Sequence, residues 1–247
     1  MNADPAAQLR LLDLQAEDSR LDQVAHRRAT LPEVAELAQL HHRLAQVEDE
    51  LVAVETEDSD LAREQAKVEA EVDQVRARAE RDQRRLDAGQ VGSPRELESL
   101  QHEIGSLARR QSDLEDAVLA VMERREATQA RRAALQADRQ RLQAEAADAE
   151  ARRAAATADL DAAEREAADR RAELAAGVPE DLLGLYEKLR AQHGGVGAAA
   201  LRRRRCEGCR LELNTTELAR LAAAPPEEVS RCEECRRILV RTPESGL

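Results

Sequence analysis

Phenylalanine and tryptophan are absent from this chain of 247 residues, and Tyr186 is its one tyrosine. Large apolar rings supply much of the burial in ordinary cores, so their absence excludes a conventional globular core over most of the length. It also removes the stacking platform on which sequence-tolerant single-strand nucleic-acid binders rely. No apolar run approaches membrane-spanning length, and the N-terminus lacks the basic and apolar regions of a signal peptide; a cytoplasmic protein with no membrane role is expected. No phosphate loop, catalytic triad or paired-carboxylate site is present. The five histidines (His26, His41, His42, His102, His193) include no pair spaced for a metal or a nucleophile. Neither an enzyme nor a small-molecule substrate is expected. Cysteine is missing from the first 205 residues, and all four cysteines lie in the last 42.

Charge and helix-forming residues fill the space. Asp, Glu, Lys and Arg make up 36% of the chain, and the formal net charge is -12. The acid is unevenly spread: residues 1–177 carry 26 basic against 39 acidic residues, and residues 178–247 carry 12 against 11. An acidic surface repels nucleic acid, so any such binding belongs to the C-terminal part. From Leu37 the apolar spacing alternates three and four through Leu40, Leu44, Val47, Leu51, Val54, Leu61, Val68, Val72 and Val75 to Leu86, with Asp58 and Gln65 also on the stripe. A second register runs from Leu97 through Leu100, Ile104, Leu107, Leu114, Val118 and Val121. It weakens at Arg125, Thr128, Arg132 and Arg139, then continues through alanines to Leu174. Both stripes are coiled-coil seams.

Between them lies Asp87-Ala88-Gly89-Gln90-Val91-Gly92-Ser93-Pro94-Arg95-Glu96. Two glycines break the helical pattern, and Ser93, Pro94 and Glu96 supply a capping box with proline at the first helical position. Asp4-Pro5 opens the first arm and Gly177-Val178-Pro179 ends the second, so arms of equal length flank the turn, each roughly 125 Å if unbroken. An antiparallel hairpin is therefore favoured over a parallel dimer of single helices. Paired residues have numbers adding to about 181, which sets Asp58 against Arg124 and Arg125. Thr30-Leu31-Pro32-Glu33 predicts a kink or a restarted helix, with Thr30 as its cap. The expected domains are a hairpin over 1–177, turning at 88–93, and a module over 178–247.

That module opens with an amphipathic helix in which Leu182, Leu185, Tyr186 and Leu189 share a face. A flexible His193–Gly197 connector follows, and then a strand over Ala198–Arg205. Cys206-Glu207-Gly208-Cys209 and Cys232-Glu233-Glu234-Cys235 form a C-x2-C…C-x2-C array with 22 residues between the pairs. Two such knuckles can offer four thiolates in a tetrahedron, which suits one structural Zn²⁺ held by Cys206, Cys209, Cys232 and Cys235. A redox dithiol and an iron–sulfur cluster are the competing readings. Four cysteines close the coordination shell, which leaves no position for substrate or activated water. A capped helix near Thr215–Leu221 and a closing strand Ile238–Val240 complete a zinc ribbon too small to fold without metal. Removing zinc is expected to unfold the ribbon and leave the hairpin helical. Arg202, Arg203, Arg204 and Arg205 form the strongest basic run, read either as a phosphate-binding patch or as a solvated strand with arginines on alternating faces.

The chain resembles the bacterial coiled-coil proteins with a C-terminal C4-type zinc ribbon, including the chlamydial and Helicobacter-type hairpin proteins. The likeness rests on Ser93-Pro94-Arg95-Glu96-Leu97, Leu100-Gln101-His102-Glu103-Ile104, Leu185-Tyr186-Glu187-Lys188-Leu189-Arg190, the paired knuckles and the ending Cys235-Arg236-Arg237-Ile238-Leu239-Val240. It departs at Arg236, where the family has glycine, and at Val240, where the family has an aromatic residue. The resemblance implies an all-α hairpin with a small zinc ribbon that works as a non-enzymatic adaptor for protein partners in transcription or secretion machinery, with nucleic acid as a further partner class. The alternatives are a transcription regulator that inserts its hairpin into RNA polymerase, or an RNA-binding protein that acts through the ribbon. A zinc-hook protein is excluded, because the hairpin turn has no cysteine.

Overall fold

The computed structural model describes residues 1–247. Five helices and three short strands follow in the order α1 (Pro5–Ala29), α2 (Pro32–Asp87), α3 (Pro94–Ala176), α4 (Glu180–Gln192), β1 (Ala198–Arg202), β2 (Arg205–Cys206), α5 (Thr215–Ala223) and β3 (Ile238–Arg241). They fall into two compact units, one of Glu36–Ala149 and one of Met1–Ala35 with Glu150–Leu247.

The Glu36–Ala149 unit is an antiparallel coiled-coil hairpin. Its seam buries Leu37, Leu40, Leu51, Val54, Leu61 and Val72 of α2 against Leu100, Leu114, Val121, Leu142 and Ala149 of α3. The register follows the expected pairing: Arg78–Glu103, Arg85–Glu96, Glu71–Arg110 and Glu50–Arg131 each bridge residues whose numbers add to about 181. Where the apolar stripe fails, Asp58 Oδ1 accepts from Arg125 Nε at 3.1 Å and from Gln129 Nε2 at 3.2 Å. Thr128 is buried in the seam and turns its hydroxyl back onto the Arg124 carbonyl at 3.0 Å.

The turn shows why α2 stops. Gly89 takes a φ of 63°, its N–H bonds to Leu86 O and the Gln90 N–H reaches Arg85 O, so a Schellman motif satisfies the last carbonyls. Ser93 Oγ then accepts from the Glu96 N–H, and Glu96 Oε2 accepts from the Gly92 N–H at 2.9 Å. The capping box closes one residue earlier than its usual form, in which the acid would bind the Ser93 N–H.

In the other unit α1 ends before Pro32, as the sequence suggests, but Thr30 plays a different part. Its hydroxyl donates to His26 O at 2.9 Å and so closes α1 instead of capping α2. The first helix is amphipathic, and its apolar face fixes this unit. Ala3, Ala7, Leu11 and Leu14 pack with Val178, Leu182, Tyr186 and Leu189 and with Ala198, Ile238 and Val240. Beneath them runs a polar network with no counterpart in the sequence reading. Asp18, almost fully buried, accepts from Arg171 Nε at 2.7 Å and from Tyr186 OH at 2.6 Å, while Gln15 Oε1 accepts from the Gly197 N–H at 2.7 Å. Burial, and after it the bond to Asp18, pushes the Tyr186 phenol well above its ordinary value. Gly197 is obligatory here, since a Cβ would lie 2.6 Å from the Tyr186 carbonyl oxygen.

The three-stranded sheet has the order β2-β1-β3, with β1 antiparallel to β2 and parallel to β3. Its central residues alternate between two cores. Ala198, Ile238 and Val240 face the helices, whereas Ala199, Leu201 and Leu239 face Cys206, Cys232, Leu218 and Leu221. The ribbon thus shares one sheet with the helical core, a change from the independent module expected from the sequence. Residues near the N-terminus join it as well: the Ala3 N–H bonds to Glu227 O at 2.8 Å and the Val229 N–H to Met1 O at 3.1 Å.

Candidate metal centre and its arginine rim

Each knuckle is a backbone device. After Cys209 and Cys235 the chain reverses through Arg210 (φ 62°) and Arg236 (φ 60°), and their N–H groups bond back to Cys206 O at 2.7 Å and Cys232 O at 2.9 Å. This reversal aims the backbone N–H groups of Gly208 and Cys209 at Cys206 Sγ, and those of Glu234 and Cys235 at Cys232 Sγ. Asn214 caps α5 by accepting from the Glu217 N–H at 2.7 Å, and the buried Glu217 carboxylate then accepts the Glu233 N–H at 3.1 Å. That bond holds the second knuckle against α5.

All four cysteines are brought together as expected. Their Sγ atoms lie within 4.8 Å of one another, with Cys206–Cys235 at 3.8 Å and Cys209–Cys232 at 3.9 Å. A zinc–sulfur bond of about 2.3 Å in a regular tetrahedron gives sulfur–sulfur edges of about 3.8 Å, so the constellation fits the ion. The distances are far beyond a disulfide bond of about 2.05 Å, and all four cysteines are free. The donor set fits too, because N–H groups aimed at sulfur stabilise thiolates. Without a cation the two deeper thiols, Cys206 and Cys232, resist ionisation. Burial pushes Cys206 well above the ordinary thiol value, and burial lifts Cys232 to about 11. For Cys235 burial also acts upward, yet the Arg237 backbone N–H and guanidinium, with Cys232 and Cys206, outweigh it and hold the thiol below its usual value. Four sulfurs at these separations match one structural zinc, which deprotonates its ligands on binding.

The basic run departs from the solvated strand that its sequence suggested. Arg202 and Arg205 pair across a hairpin whose two-residue turn is Arg203-Arg204. Both turn residues have positive φ, 46° and 67°, the signature of a type I′ turn usually made by Asn-Gly. The solvated strand with alternating arginines is therefore replaced by a tight turn. Residues that the sequence reading passed over hold it in place: the Arg203 N–H bonds to Glu244 O at 2.7 Å and the Arg204 N–H to Ser245 O at 2.8 Å, while the buried Ser245 hydroxyl bonds to Leu201 O. Arg202 is paired with Glu244 at 3.2 Å, and Arg205 donates to Arg210 O at 2.8 Å. Arg203, Arg204, Arg210 and Arg236 are exposed and have no acidic partner. A recess of about 420 Å³ lined by Arg202, Arg203, Arg205, Arg210, Glu207 and Glu244 lies beside the first knuckle.

No helix is long and apolar enough to cross a membrane. Residues 14–194 match the model of the CT398-like coiled coil hairpin domain, and residues 205–239 match the C4-type zinc ribbon domain. A Mycobacterium tuberculosis protein described as uncharacterized is 40% identical over 241 residues, which is 98% of each chain. A solved structure from Mycobacterium smegmatis is similar with a TM-score of 0.82 and 39% identity, over 98% of this chain and all of that one. CT398 of Chlamydia trachomatis superposes with a TM-score of 0.65 at 16% identity, over 96% of this chain and 98% of its own, a likeness of fold.

Proposed function

Because the chain belongs to the CT398-like coiled-coil hairpin family with a C4-type zinc ribbon, we propose that it acts as a non-enzymatic, cytoplasmic adaptor that presents the coiled coil and the ribbon to a protein partner. In this reading Cys206, Cys209, Cys232 and Cys235 each supply one thiolate to the ion. The observation that carries it is the closed shell of four sulfurs: with no open coordination position the metal acts as a staple, and the chain offers surface in place of chemistry. The outward faces of α2 and α3 leave Val52, Leu119 and Met122 exposed among charges, apolar points that a helical or extended partner segment can cover. The family resemblance directs the partner search to transcription and secretion machinery. Two tests apply. Metal analysis is expected to give one zinc per chain, and a value near zero sinks the staple. Affinity capture from the native cell is expected to retain the same protein partner with and without nuclease, and a partner lost on nuclease treatment overturns the protein adaptor.

Insertion of the hairpin into RNA polymerase draws less support. Such a probe needs free acids at its tip, and of Asp87, Glu96 and Glu98 only the exposed Glu98 is free: Glu96 accepts from Arg85 and from the Gly92 N–H, and Asp87 accepts from Gln83 at 2.9 Å.

One observation favours a second reading for the ribbon, binding of nucleic-acid phosphates. Every non-glycine residue with positive φ is an arginine of this module, and each has an exposed guanidinium free of acids. The sequence-stretch Arg202–Arg205 then contributes through Arg203 and Arg204, joined by Arg210 and Arg236. Replacing those four by glutamine is expected to flatten the log–log salt dependence of RNA or DNA binding by about three units. Replacing Arg202 and Arg205 is expected to change it less. Absence of binding at low salt, or an unchanged salt slope in the fourfold variant, removes this reading.

A further inference from the structure

Arg237 stands apart from the arginines around it. It is half-buried and pairs with no carboxylate, and each of its guanidinium nitrogens donates to a carbonyl oxygen: Nε to Val196 at 3.0 Å, Nη1 to Gly208 at 3.2 Å and Nη2 to His193 at 3.0 Å. Its stem covers Gly208 so closely that a Cβ there would lie 2.9 Å from Arg237 Cδ and 3.0 Å from the Ala199 methyl. Its guanidinium and its backbone N–H both bear on Cys235 Sγ. Carbonyl dipoles satisfy the hydrogen-bonding capacity of a guanidinium but leave its net charge uncompensated, and an uncompensated charge away from water is costly. What lies beside it to offset the charge is the sulfur cluster. Four thiolates around one divalent cation carry a formal excess of two negative charges, and that excess is equally costly in a partly buried site.

We propose that Arg237 is the positioning residue of the zinc site: it supplies the fixed counter-charge to the tetrathiolate and ties the first knuckle to the α4–β1 connector, so that zinc retention and the helical core around Tyr186 rise and fall together. The linkage is continuous through named contacts. Gly208 belongs to the first knuckle, His193 ends α4, and Val196 leads to Gly197, whose N–H is bonded to Gln15 in the network that also holds Tyr186. Ile238, next to Arg237, lies in the core with Tyr186. The inference rests on the zinc-staple reading and adds the residue that governs how firmly the staple holds.

The test uses the full chain and a chromophoric zinc chelator. Tyr186 is the one tyrosine in a chain without tryptophan or phenylalanine, so near-ultraviolet circular dichroism reports on its surroundings alone. In the native protein the Tyr186 signal is expected to fall in step with zinc removal. Arg237→Gln is expected to weaken zinc binding about 10–100-fold, the usual cost of losing an outer-shell partner, and its Tyr186 signal is expected to fall at correspondingly lower chelator concentration. Arg237→Lys keeps the charge without spanning three carbonyls, so it is expected to retain zinc better than the glutamine variant and less well than the native chain. A Tyr186 signal that stays constant while zinc leaves overturns the coupling. Zinc affinity within about threefold of native in both variants, or equal losses in both, overturns the counter-charge. If Arg237→Gln does not fold, the lysine variant decides alone: native zinc affinity with an unshifted Tyr186 transition overturns the proposal. Native protein that carries no zinc at all counts against the staple itself and is recognised before any variant is made.

Discussion

Arg236 sits at a φ of 60° because the knuckle must reverse after Cys235, and a side chain in that region costs about 1–2 kcal/mol relative to the right-handed alternative. Glycine carries no such cost. Arg236→Gly is therefore expected to stabilise the zinc-loaded ribbon by about 1 kcal/mol, read as a later transition in thermal unfolding followed at Tyr186. An unchanged or earlier transition means that the arginine stem repays its backbone cost through packing. The family resemblance marked Arg236 as an arginine standing where a glycine is usual. The sequence did not separate Arg236 from Arg237. Neighbouring residues of one type differ only in which way the backbone points them, and here one guanidinium goes to solvent while the next goes inward to three carbonyls. Cys206 and Cys232 lie deeper than Cys209 and Cys235, a distinction the symmetric spacing also concealed.

Secondary-structure elements with long periods or specific end signals were legible. The bounds of α2 at Asp87 and α3 at Pro94 follow from Gly89, Ser93 and Pro94, because each residue has a backbone requirement met in few conformations. Elements of two residues were not: β2 is a turn partner with no period to read, and the Arg203-Arg204 turn contradicts the usual preference for glycine or asparagine. Within the hairpin the Asp58–Arg125 pair interrupts the apolar seam, where it is expected to specify register more than to stabilise. The bond from Arg125, followed by that from Gln129, holds the Asp58 carboxyl below its ordinary value. A depressed carboxyl contributes stability above its unfolded pKa, and that contribution is lost as pH falls through the folded value. Hairpin stability is thus expected to decline on acidification below about pH 4. Asp58→Leu with Arg125→Leu is expected to lose this component of the acid sensitivity and to raise the midpoint at neutral pH. Helicity against temperature at two pH values checks both, and a double variant that melts earlier at neutral pH counts against the pair as a device of register.

Across the whole molecule, a helix-forming sequence and a cysteine array suggested two separable parts, because periodicity and ligand spacing are local signals. The shared sheet is a tertiary fact: Ala198 and Ala199 are adjacent alanines, and nothing in the sequence marks them as facing different cores. Pairing of residues 1–3 with residues 227–229 is equally non-local. Deleting Met1–Ala3 removes two backbone bonds worth about 0.5–1.5 kcal/mol each, along with the buried Ala3 methyl. The truncated chain is expected to release zinc to a chelator more readily, although it keeps every cysteine; identical release curves contradict this. The same arrangement has a consequence for synthesis. Chains emerge from the ribosome N-terminus first and their parts fold as they appear. The apolar face of α1, with Leu11 and Leu14, is made well before Ile238 and Val240, which cover part of it and come more than two hundred residues later. During that interval a nascent chain shows an uncovered greasy stripe while its α2–α3 hairpin is already able to form. Metal supplied before Cys232 and Cys235 emerge finds only half of its ligands.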